Sequence, residues 1–386
     1  MKTKTTRISI VITAFALGIA LVWFLSKAGD KVRGPLEDLF SFTEETVNSV
    51  EKSLILDQRK DKRANKLQWI QGYVKNAERL KDPDKILLGA YDNNTVKTFE
   101  TIINLEDSLH TTFPLIHIYT AWGDKPEQKF PAEQVNAIAE LGSIPVITWE
   151  PWLTDFDSFA HPELPLREKR DKGGLMDISK GLYDFYIKAW AQEVKKVKSS
   201  VLIRVGHEMN DPYRYPWGPH NNKPKDFIAA WRHVHDLFKQ QGVENVVWVW
   251  SPHPAYGMFK EFYPGDDYVD FVGSGVLNYG TVASWSKWWS FKEIFGNYYK
   301  QLSVFKKPIM ISEFGSLAVG GDRAQWYENA LDSLSIKYPA IKSIIFFHYS
   351  DDRTTTQQPL NWYLFDDDKT LREIREKLSF SLIKRH

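Results

Sequence analysis

The sequence predicts a single (β/α)8 barrel, because strand-like and helix-like segments alternate along most of the chain. Segments with helical periodicity, such as residues 181–198 and 226–240, separate the strand-like runs. This order implies parallel strand pairing through right-handed crossovers, over a span typical of one such barrel. A doubly wound open sheet is the alternative, but its glycine-rich nucleotide-binding fingerprint is absent from the sequence. The eight apolar, β-rich runs occupy residues 85–92, 114–122, 144–152, 201–210, 245–253, 269–280, 307–315 and 341–351.

Residues 1–30 are predicted to be a signal anchor that crosses a membrane as a helix. Ile8 to Leu25 form eighteen consecutive uncharged, mostly apolar residues after a basic start. At about 1.5 Å per residue, a helix of this length nearly spans a ~30 Å hydrocarbon core. A cleaved signal peptide is the alternative, although the run ends in a poor cleavage site. We therefore expect the barrel outside the cytoplasm, periplasmic or extracellular, anchored through residues 8–25 or secreted if the segment is removed.

Residues 31–84 are predicted to be a charged helical stalk or linker, which leaves residues 85–386 for the barrel. A short coiled-coil stalk and a lone amphipathic helix lying on the barrel or the membrane both fit this pattern. The apolar positions recur at spacings of four and three on one helix face: Leu36, Phe40, Thr43, Val47, Val50 and Leu54.

Composition excludes several classes of function. Fifty basic residues against 49 acidic residues give a net charge of +1, which predicts no nucleic-acid partner. The absence of cysteine excludes disulfides, thiolate metal sites and cysteine nucleophiles. No His-Glu-x-x-His motif occurs, and the sequence predicts neither a metal nor a cofactor.

Two glutamates at the ends of predicted strands indicate the chemistry. Glu208 lies near the end of the fourth run and Glu313 near the end of the seventh. The carboxyl ends of parallel barrel strands share one face, so these two side chains are expected to meet across a common mouth. Hydrolysis of a glycosidic bond with retention requires two carboxyls about 5–5.5 Å apart. We predict that Glu208 and Glu313 form such a pair.

The motifs around these glutamates resemble those of glycoside hydrolase family 26, a group of retaining β-glycanases with a (β/α)8 barrel. The resemblance rests on "GHEMN" followed by "YPWG", and on "SEFG", and covers residues 85–370. It implies that Glu208 is the acid/base and Glu313 the nucleophile. It also implies that His207 hydrogen-bonds within the catalytic subsite and that Tyr279 holds the nucleophile.

Further candidates for substrate binding lie near the strand ends. For Trp217 the alternatives are a sugar platform and core packing, and for Glu150 they are a sugar hydroxyl and an ion pair with Arg204. The aromatic cluster at residues 284–289 would form either distal sugar contacts or a buried core. Mannanases of the family carry a tryptophan at the end of the eighth strand, where this chain has His348 and Tyr349. The candidates are Trp122, Trp149, Glu150, Asn210, Trp217 and His348.

The predicted function is endo-acting hydrolysis of a β-linked polysaccharide with net retention. Candidate substrates are β-mannan, β-glucan and a secreted exopolysaccharide, because specificity depends on loop geometry that sequence does not define. Polysaccharide synthesis or export machinery is a candidate partner. The alternative is a membrane-tethered, non-catalytic glycan-binding or polysaccharide-assembly factor built on the same barrel.

Overall fold

The computed structural model describes residues 35–93, 98–353, 355–356 and 358–381. Within these residues eight parallel strands close into one barrel, each pairing with its neighbours in the chain and the first with the eighth. The predicted barrel is therefore confirmed. The strands are β1 Leu87–Tyr91, β2 Leu115–Ala121, β3 Ile144–Glu150, β4 Val201–Val205, β5 Val246–Trp250, β6 Phe271–Asn278, β7 Ile309–Ser316 and β8 Ile341–Phe347.

The helices that surround the barrel bury one apolar face each. In the helix Asp184–Lys196, Ile187, Trp190, Ala191 and Val194 recur at spacings of three and four and are all buried. The described helices are α1 Pro35–Lys66, α2 Gln71–Val74, α3 Ala77–Leu80, α4 Glu100–Leu109, α5 Ala132–Glu140, α6 Gly174–Ser179, α7 Asp184–Lys196, α8 Pro224–Gln240, α9 Phe259–Phe262, α10 Phe291–Leu302, α11 Arg323–Lys337 and α12 Asp368–Ser381.

The segment before β1 packs beneath the barrel. Its buried apolar residues share a cluster with Leu115 of β2 and Ile144 of β3, near the amino ends of these strands. The predicted domain boundary at residue 85 therefore lies within a compact unit, which begins at Lys52. The buried residues of this segment are Leu67, Ile70, Tyr73, Ala77 and Leu80.

Arg63, near the end of α1, ties that helix to the base of the barrel. Its guanidinium is buried and forms an ion pair with Glu106 of α4. It also donates to the carbonyl oxygens of Leu141 at 3.0 Å and Phe113 at 3.3 Å, and to the hydroxyl of Ser143 at 2.6 Å. These acceptors lie just before β2 and β3, so one side chain fixes the helix to two strand entries.

The predicted membrane anchor at residues 8–25 lies outside the described residues. In the part of the chain that the structure describes, no helix is long and apolar enough to cross a bilayer. The backbone of α1 is helical. The role of this segment as a stalk or linker stays a prediction. The choice between a coiled coil and a lone amphipathic helix stays a prediction.

Candidate active site

Glu208 lies in the loop after β4 and not on the strand itself. The sequence predicts a strand through residue 210, but β4 ends at Val205. Gly206 and Glu208 both have left-handed backbone conformations, with φ of 49° and 53°. This conformation costs a residue with a Cβ about 1–2 kcal/mol. The Glu208 N–H donates to the carbonyl of Ser251 at 2.7 Å, which anchors the turn to the end of β5.

Glu313 lies on β7, where two donors converge on one carboxylate oxygen. Arg204 Nη2 donates to Glu313 Oε1 at 2.7 Å, and the Tyr119 hydroxyl donates to the same atom at 2.8 Å. Burial alone would raise the pKa of Glu313, but the Arg204 charge and both hydrogen bonds hold that pKa below its ordinary value. Glu313 is therefore ionised at neutral pH, as a nucleophile must be.

Arg204 is held rigidly by hydroxyl groups from three other strand regions. Its Nε donates to Thr148 Oγ1 at 2.8 Å, and its Nη1 donates to Ser312 Oγ at 2.8 Å and Ser251 Oγ at 3.4 Å. The guanidinium is fully buried, so these bonds replace the water it gives up. Because the guanidinium is held in place, its positive charge stabilises the Glu313 carboxylate without reorganisation of the surrounding groups.

Glu208 has the opposite protonation preference. Burial and the negative charge of Glu313 raise the pKa of Glu208 to about 8, although Arg214 and Arg204 oppose the shift. The nearest cation, Arg214 Nη1, is 3.5 Å from Glu208 Oε2 and makes only a long contact. Glu208 is therefore protonated at neutral pH and able to give a proton to a leaving group.

The two carboxylates flank the same small space beside β6. A Cβ built on Gly275 would lie 3.5 Å from Glu313 Oε2 and 4.0 Å from Glu208 Oε1. Glycine at this position keeps the space between the two groups free. The structure therefore places the side chains of Glu208 and Glu313 close together, as the sequence predicts.

Comparison with known proteins agrees with this geometry. The sequence profile of glycosyl hydrolase family 26 matches residues 180–332, which include both glutamates. The chain is 30% identical over 273 residues to endoglucanase H of Acetivibrio thermocellus, a match that covers 68% of this chain and 27% of that protein. The chain belongs to glycosyl hydrolase family 26. The resemblance predicted from the motifs is therefore confirmed.

A further relative and a solved structure are also similar to this chain. The chain is 27% identical over 190 residues to mannan endo-1,4-beta-mannosidase of Bacillus subtilis, which covers 47% of this chain and 48% of that protein. The chain thus spans about a quarter to a half of the length of these two relatives. A family 26 beta-mannanase from Bacteroides ovatus has the same fold, with a TM-score of 0.56 at 16% identity over 80% of this chain and 96% of that chain.

Tyr279 does not make the contact that the family 26 resemblance implies. Its hydroxyl accepts from Thr355 Oγ1 at 3.1 Å, and Thr355 in turn accepts from Arg214 Nη2 at 3.0 Å. Tyr279, which directly follows β6, therefore belongs to a bridge that joins the loops after β4, β6 and β8. Tyr119, on β2, donates to Glu313 in its place. Tyr119 and Arg204 are the hydrogen-bond donors to Glu313, and the role that the resemblance implies for Tyr279 stays a prediction.

His207 and Glu150 lie together beside the pair. The Glu150 carboxylate accepts from Trp152 Nε1 at 3.1 Å and lies 3.8 Å from His207 Nδ1. Burial raises the pKa of Glu150 to about 7, and burial together with the Arg204 charge keeps the pKa of His207 well below its ordinary value. The alternative of a Glu150–Arg204 ion pair is not observed, because Arg204 directs its N–H groups elsewhere.

Three tryptophans predicted as candidates for sugar binding are fully buried instead. Trp122 and Trp149 pack against each other with ring centroids 4.7 Å apart in the core between strands and helices. Trp217 stacks on Tyr215 at 4.5 Å, nearly parallel, and donates from Nε1 to the His207 carbonyl at 2.7 Å. A buried ring cannot stack on a sugar, so the structure supports neither Trp122 nor Trp149 as a sugar contact. For Trp217 it favours core packing, the second of the two predicted alternatives, in which the ring holds the backbone of the loop after β4.

Asn210 and His348 also position loops and do not face open space. The Asn210 amide donates to the carbonyls of His253 at 2.9 Å and Gly257 at 2.8 Å, and accepts from the His253 N–H at 2.6 Å. Buried His348 accepts from the Leu364 N–H at 3.2 Å. Direct substrate contact by either side chain is therefore not supported.

The aromatic cluster at residues 284–289 divides between its two predicted roles. Trp285 is exposed and stands edge-on to Tyr279 with ring centroids 5.8 Å apart. Trp288 and Trp289 are half-buried, and Trp288 packs against the core. Trp285 is the most exposed ring of this cluster.

One group of side chains in the described part of the chain has the composition of a cation site. Glu208, Asp211 and His253 carry ligand atoms within 4.8 Å of one another. Asp211 Oδ1 already accepts two backbone N–H groups, from Tyr213 and Arg214, and the Arg214 guanidinium beside Glu208 repels a cation. We assign no metal role to this group, and the prediction that the protein needs none stays a prediction.

Proposed function

We propose that this chain hydrolyses internal β-glycosidic bonds of a polysaccharide with net retention of configuration. The observation that carries the proposal is the pair of facing carboxyls with opposite protonation preferences. Glu208 would be the acid/base and Glu313 the nucleophile. Membership of family 26 supports the same assignment.

The reaction would proceed in two displacements. Glu313 Oε attacks the anomeric carbon, the glycosidic C–O bond breaks, and the Glu208 proton passes to the leaving oxygen. Glu208 is then ionised and takes a proton from water, whose oxygen attacks the anomeric carbon and displaces Glu313. Arg204 and Tyr119 stabilise the Glu313 carboxylate before and after the ester exists.

The substrate would be a β-linked glycan of neutral sugars or a secreted exopolysaccharide. The relatives named above are an endoglucanase and a mannan endo-1,4-beta-mannosidase. A beta-1,3-xylanase of an Alcaligenes species is 26% identical to this chain over 106 residues. These names support a β-linked backbone and endo action. They do not agree on one sugar, so β-mannan and β-glucan both stay candidates.

We also propose that residues 8–25 anchor the protein in a membrane with the barrel outside the cytoplasm. The support is the length of the apolar run in the sequence. Polysaccharide synthesis or export machinery at that membrane would then be a candidate partner. N-terminal sequencing of protein from its native host tests the anchor: a chain starting near Gly29 in the soluble fraction would mean that the segment is a cleaved signal.

The activity is tested by incubating the full-length protein with β-1,4-mannan, mixed-linkage β-glucan and β-1,3-xylan. We expect oligosaccharides from at least one of them, and NMR of the initial product should show the β-anomer. The Glu313→Gln variant should bind the same polysaccharide without cleaving it. Binding by the wild type with no cleavage of any polymer would instead support a non-catalytic glycan-binding factor.

A further inference from the structure

We propose that Tyr213 and Tyr256 form an aromatic shelf that binds the sugar on the leaving-group side of the scissile bond. This inference rests on the proposed function and adds a binding site to it. The two rings meet edge to face with centroids 5.8 Å apart. The Tyr213 side chain is 81% exposed and that of Tyr256 is 39% exposed. Single exposed aromatic rings are ordinary, whereas a contacting pair beside reactive groups calls for a ligand.

The shelf lies next to Glu208, the proposed acid/base. The Tyr256 and His253 rings pack together with centroids 4.7 Å apart, and His253 Nε2 lies 4.0 Å from Glu208 Oε1. The proton of Glu208 must reach the oxygen that joins the two sugars at the cleavage point. A sugar that continues from that oxygen past Glu208 and His253 would therefore meet Tyr256 first and Tyr213 next.

Both loops that carry the shelf are fixed before any ligand arrives. Asp211 Oδ1 accepts from the Tyr213 N–H at 2.8 Å and holds the turn after β4. The Asn210 amide binds the backbone of His253 on both sides and the Gly257 carbonyl, which locks the loop after β5 onto the loop after β4. Little conformational entropy is then lost when a sugar binds, which favours affinity.

The chemistry of the shelf suits a β-linked pyranose. Tyrosine offers a flat apolar face for the C–H face of a sugar, and this contact needs only the ring. In the loop after β4, the candidate ring Trp217 is buried, so the exposed tyrosines supply the stacking surface that Trp217 does not. Asn210 is accordingly a positioning residue for this shelf.

The test compares two substrates that differ only beyond the scissile bond. One is a hexasaccharide prepared from whichever of the three polymers the full-length wild type hydrolyses best, and the other is the β-disaccharide fluoride of the same sugar. Fluoride leaves without occupying the shelf. Tyr213→Ala and Tyr256→Ala should each lower kcat/KM for the hexasaccharide about 3- to 10-fold, the range of one aromatic contact. Their kcat/KM for the fluoride should equal that of the wild type.

Tyr213→Phe and Tyr256→Phe are the matched controls, because they keep the ring and should stay within about twofold of the wild type on both substrates. Wild-type values for both alanine variants on the hexasaccharide would overturn the shelf. Equal losses on both substrates would also overturn it, since they would mean that the rings support the fold or the other side of the site. Inactivity of the wild type on all three polymers would instead be the failure of the proposed function itself.

Discussion

Two glutamates of identical chemistry differ in protonation here because their neighbours differ. Glu313 receives a buried guanidinium and a phenol on one oxygen, whereas Glu208 has only a long contact to Arg214 and a close anion. The placement of Arg204 therefore contributes to opposite protonation preferences of the two carboxyls. This difference in protonation predicts how activity depends on pH and how single substitutions change it.

The pH dependence of kcat/KM should be bell-shaped. Glu208 must be protonated to act as the acid, so activity should fall as pH rises through about 8, the pKa of Glu208. Glu313 must be ionised, and because its pKa is held below the ordinary value, the acidic loss should appear only below the usual range for glutamate. A profile of kcat/KM against pH measures both limbs.

Glu208→Ala should separate the two catalytic steps. Hydrolysis of unactivated polysaccharide should fall about 100-fold or more, while an aryl glycoside with a good leaving group should lose far less, since only the former needs protonation. Azide should rescue the aryl substrate and give a β-glycosyl azide. The basic limb of the pH profile should also vanish with that substrate. Equal losses on both substrates without azide product would show that Glu208 is not the acid/base.

Tyr119→Phe and Tyr279→Phe form a matched pair, because each removes one hydroxyl near the catalytic carboxylates. Loss of the Tyr119 bond to Glu313 should lower kcat/KM about 10-fold or more and move the acidic limb to higher pH, since hydrogen bonds to charged groups contribute about 1.5–3 kcal/mol. Tyr279→Phe should leave the acidic limb in place. The reverse pattern would restore the role that the family resemblance implies for Tyr279.

The residues that the sequence predicts well are those whose position follows from the barrel itself. Glu208 and Glu313 end β-rich runs, and parallel strands bring such ends together. Tyr119 gives a weaker signal: it lies two residues after His117, on the same face of an apolar strand, where a polar side chain can also be an ordinary satisfied core residue. The tryptophans were overestimated because residue type indicates a large ring but not whether that ring faces solvent.

At the scale of elements, the strands follow the hydrophobic pattern and the loops do not. The run 201–210 predicts a long fourth strand, yet Gly206 and Glu208 turn the backbone after Val205. The contact with Ser251 that holds this turn joins residues more than forty positions apart. The local sequence pattern therefore cannot predict it. The same limit applies to the loop contacts made by Asn210.

The junction of α1 with the barrel base should depend strongly on Arg63. Arg63→Met leaves Glu106 buried without its charge partner and should lower the free energy of unfolding by about 3–5 kcal/mol. Arg59→Ala is the control, because the pair Arg59–Asp107 lies on the same two helices but is solvent-exposed and should contribute less than about 1 kcal/mol. Urea unfolding measures both changes. Adding Glu106→Gln to Arg63→Met should recover part of the loss, and equal effects of Arg63 and Arg59 would contradict this account.

At the scale of the whole molecule, the catalytic unit should extend further toward the N-terminus than the strand pattern suggests. A chain lacking residues 1–51 should fold and keep the kcat/KM of the full-length protein, because the packed unit begins at Lys52. A chain lacking residues 1–84 loses Leu67, Ile70 and Leu80 from the barrel base. At about 1.5–3 kcal/mol for each buried side chain, this loss is comparable with a total stability of about 5–15 kcal/mol. Circular dichroism during heating distinguishes the two chains, and equal stability would mean that the base does not need this segment.

The most direct test of the central claim is to trap the covalent intermediate. A 2-deoxy-2-fluoro glycoside with a good leaving group, made from the sugar of the preferred polymer, should inactivate the full-length protein by forming a stable glycosyl ester. Mass spectrometry of the digested protein is predicted to find that ester on Glu313, and the Glu313→Gln variant should take up none. A label on another carboxylate, or turnover that releases the inverted anomer and leaves Glu313 unmodified, would contradict the account.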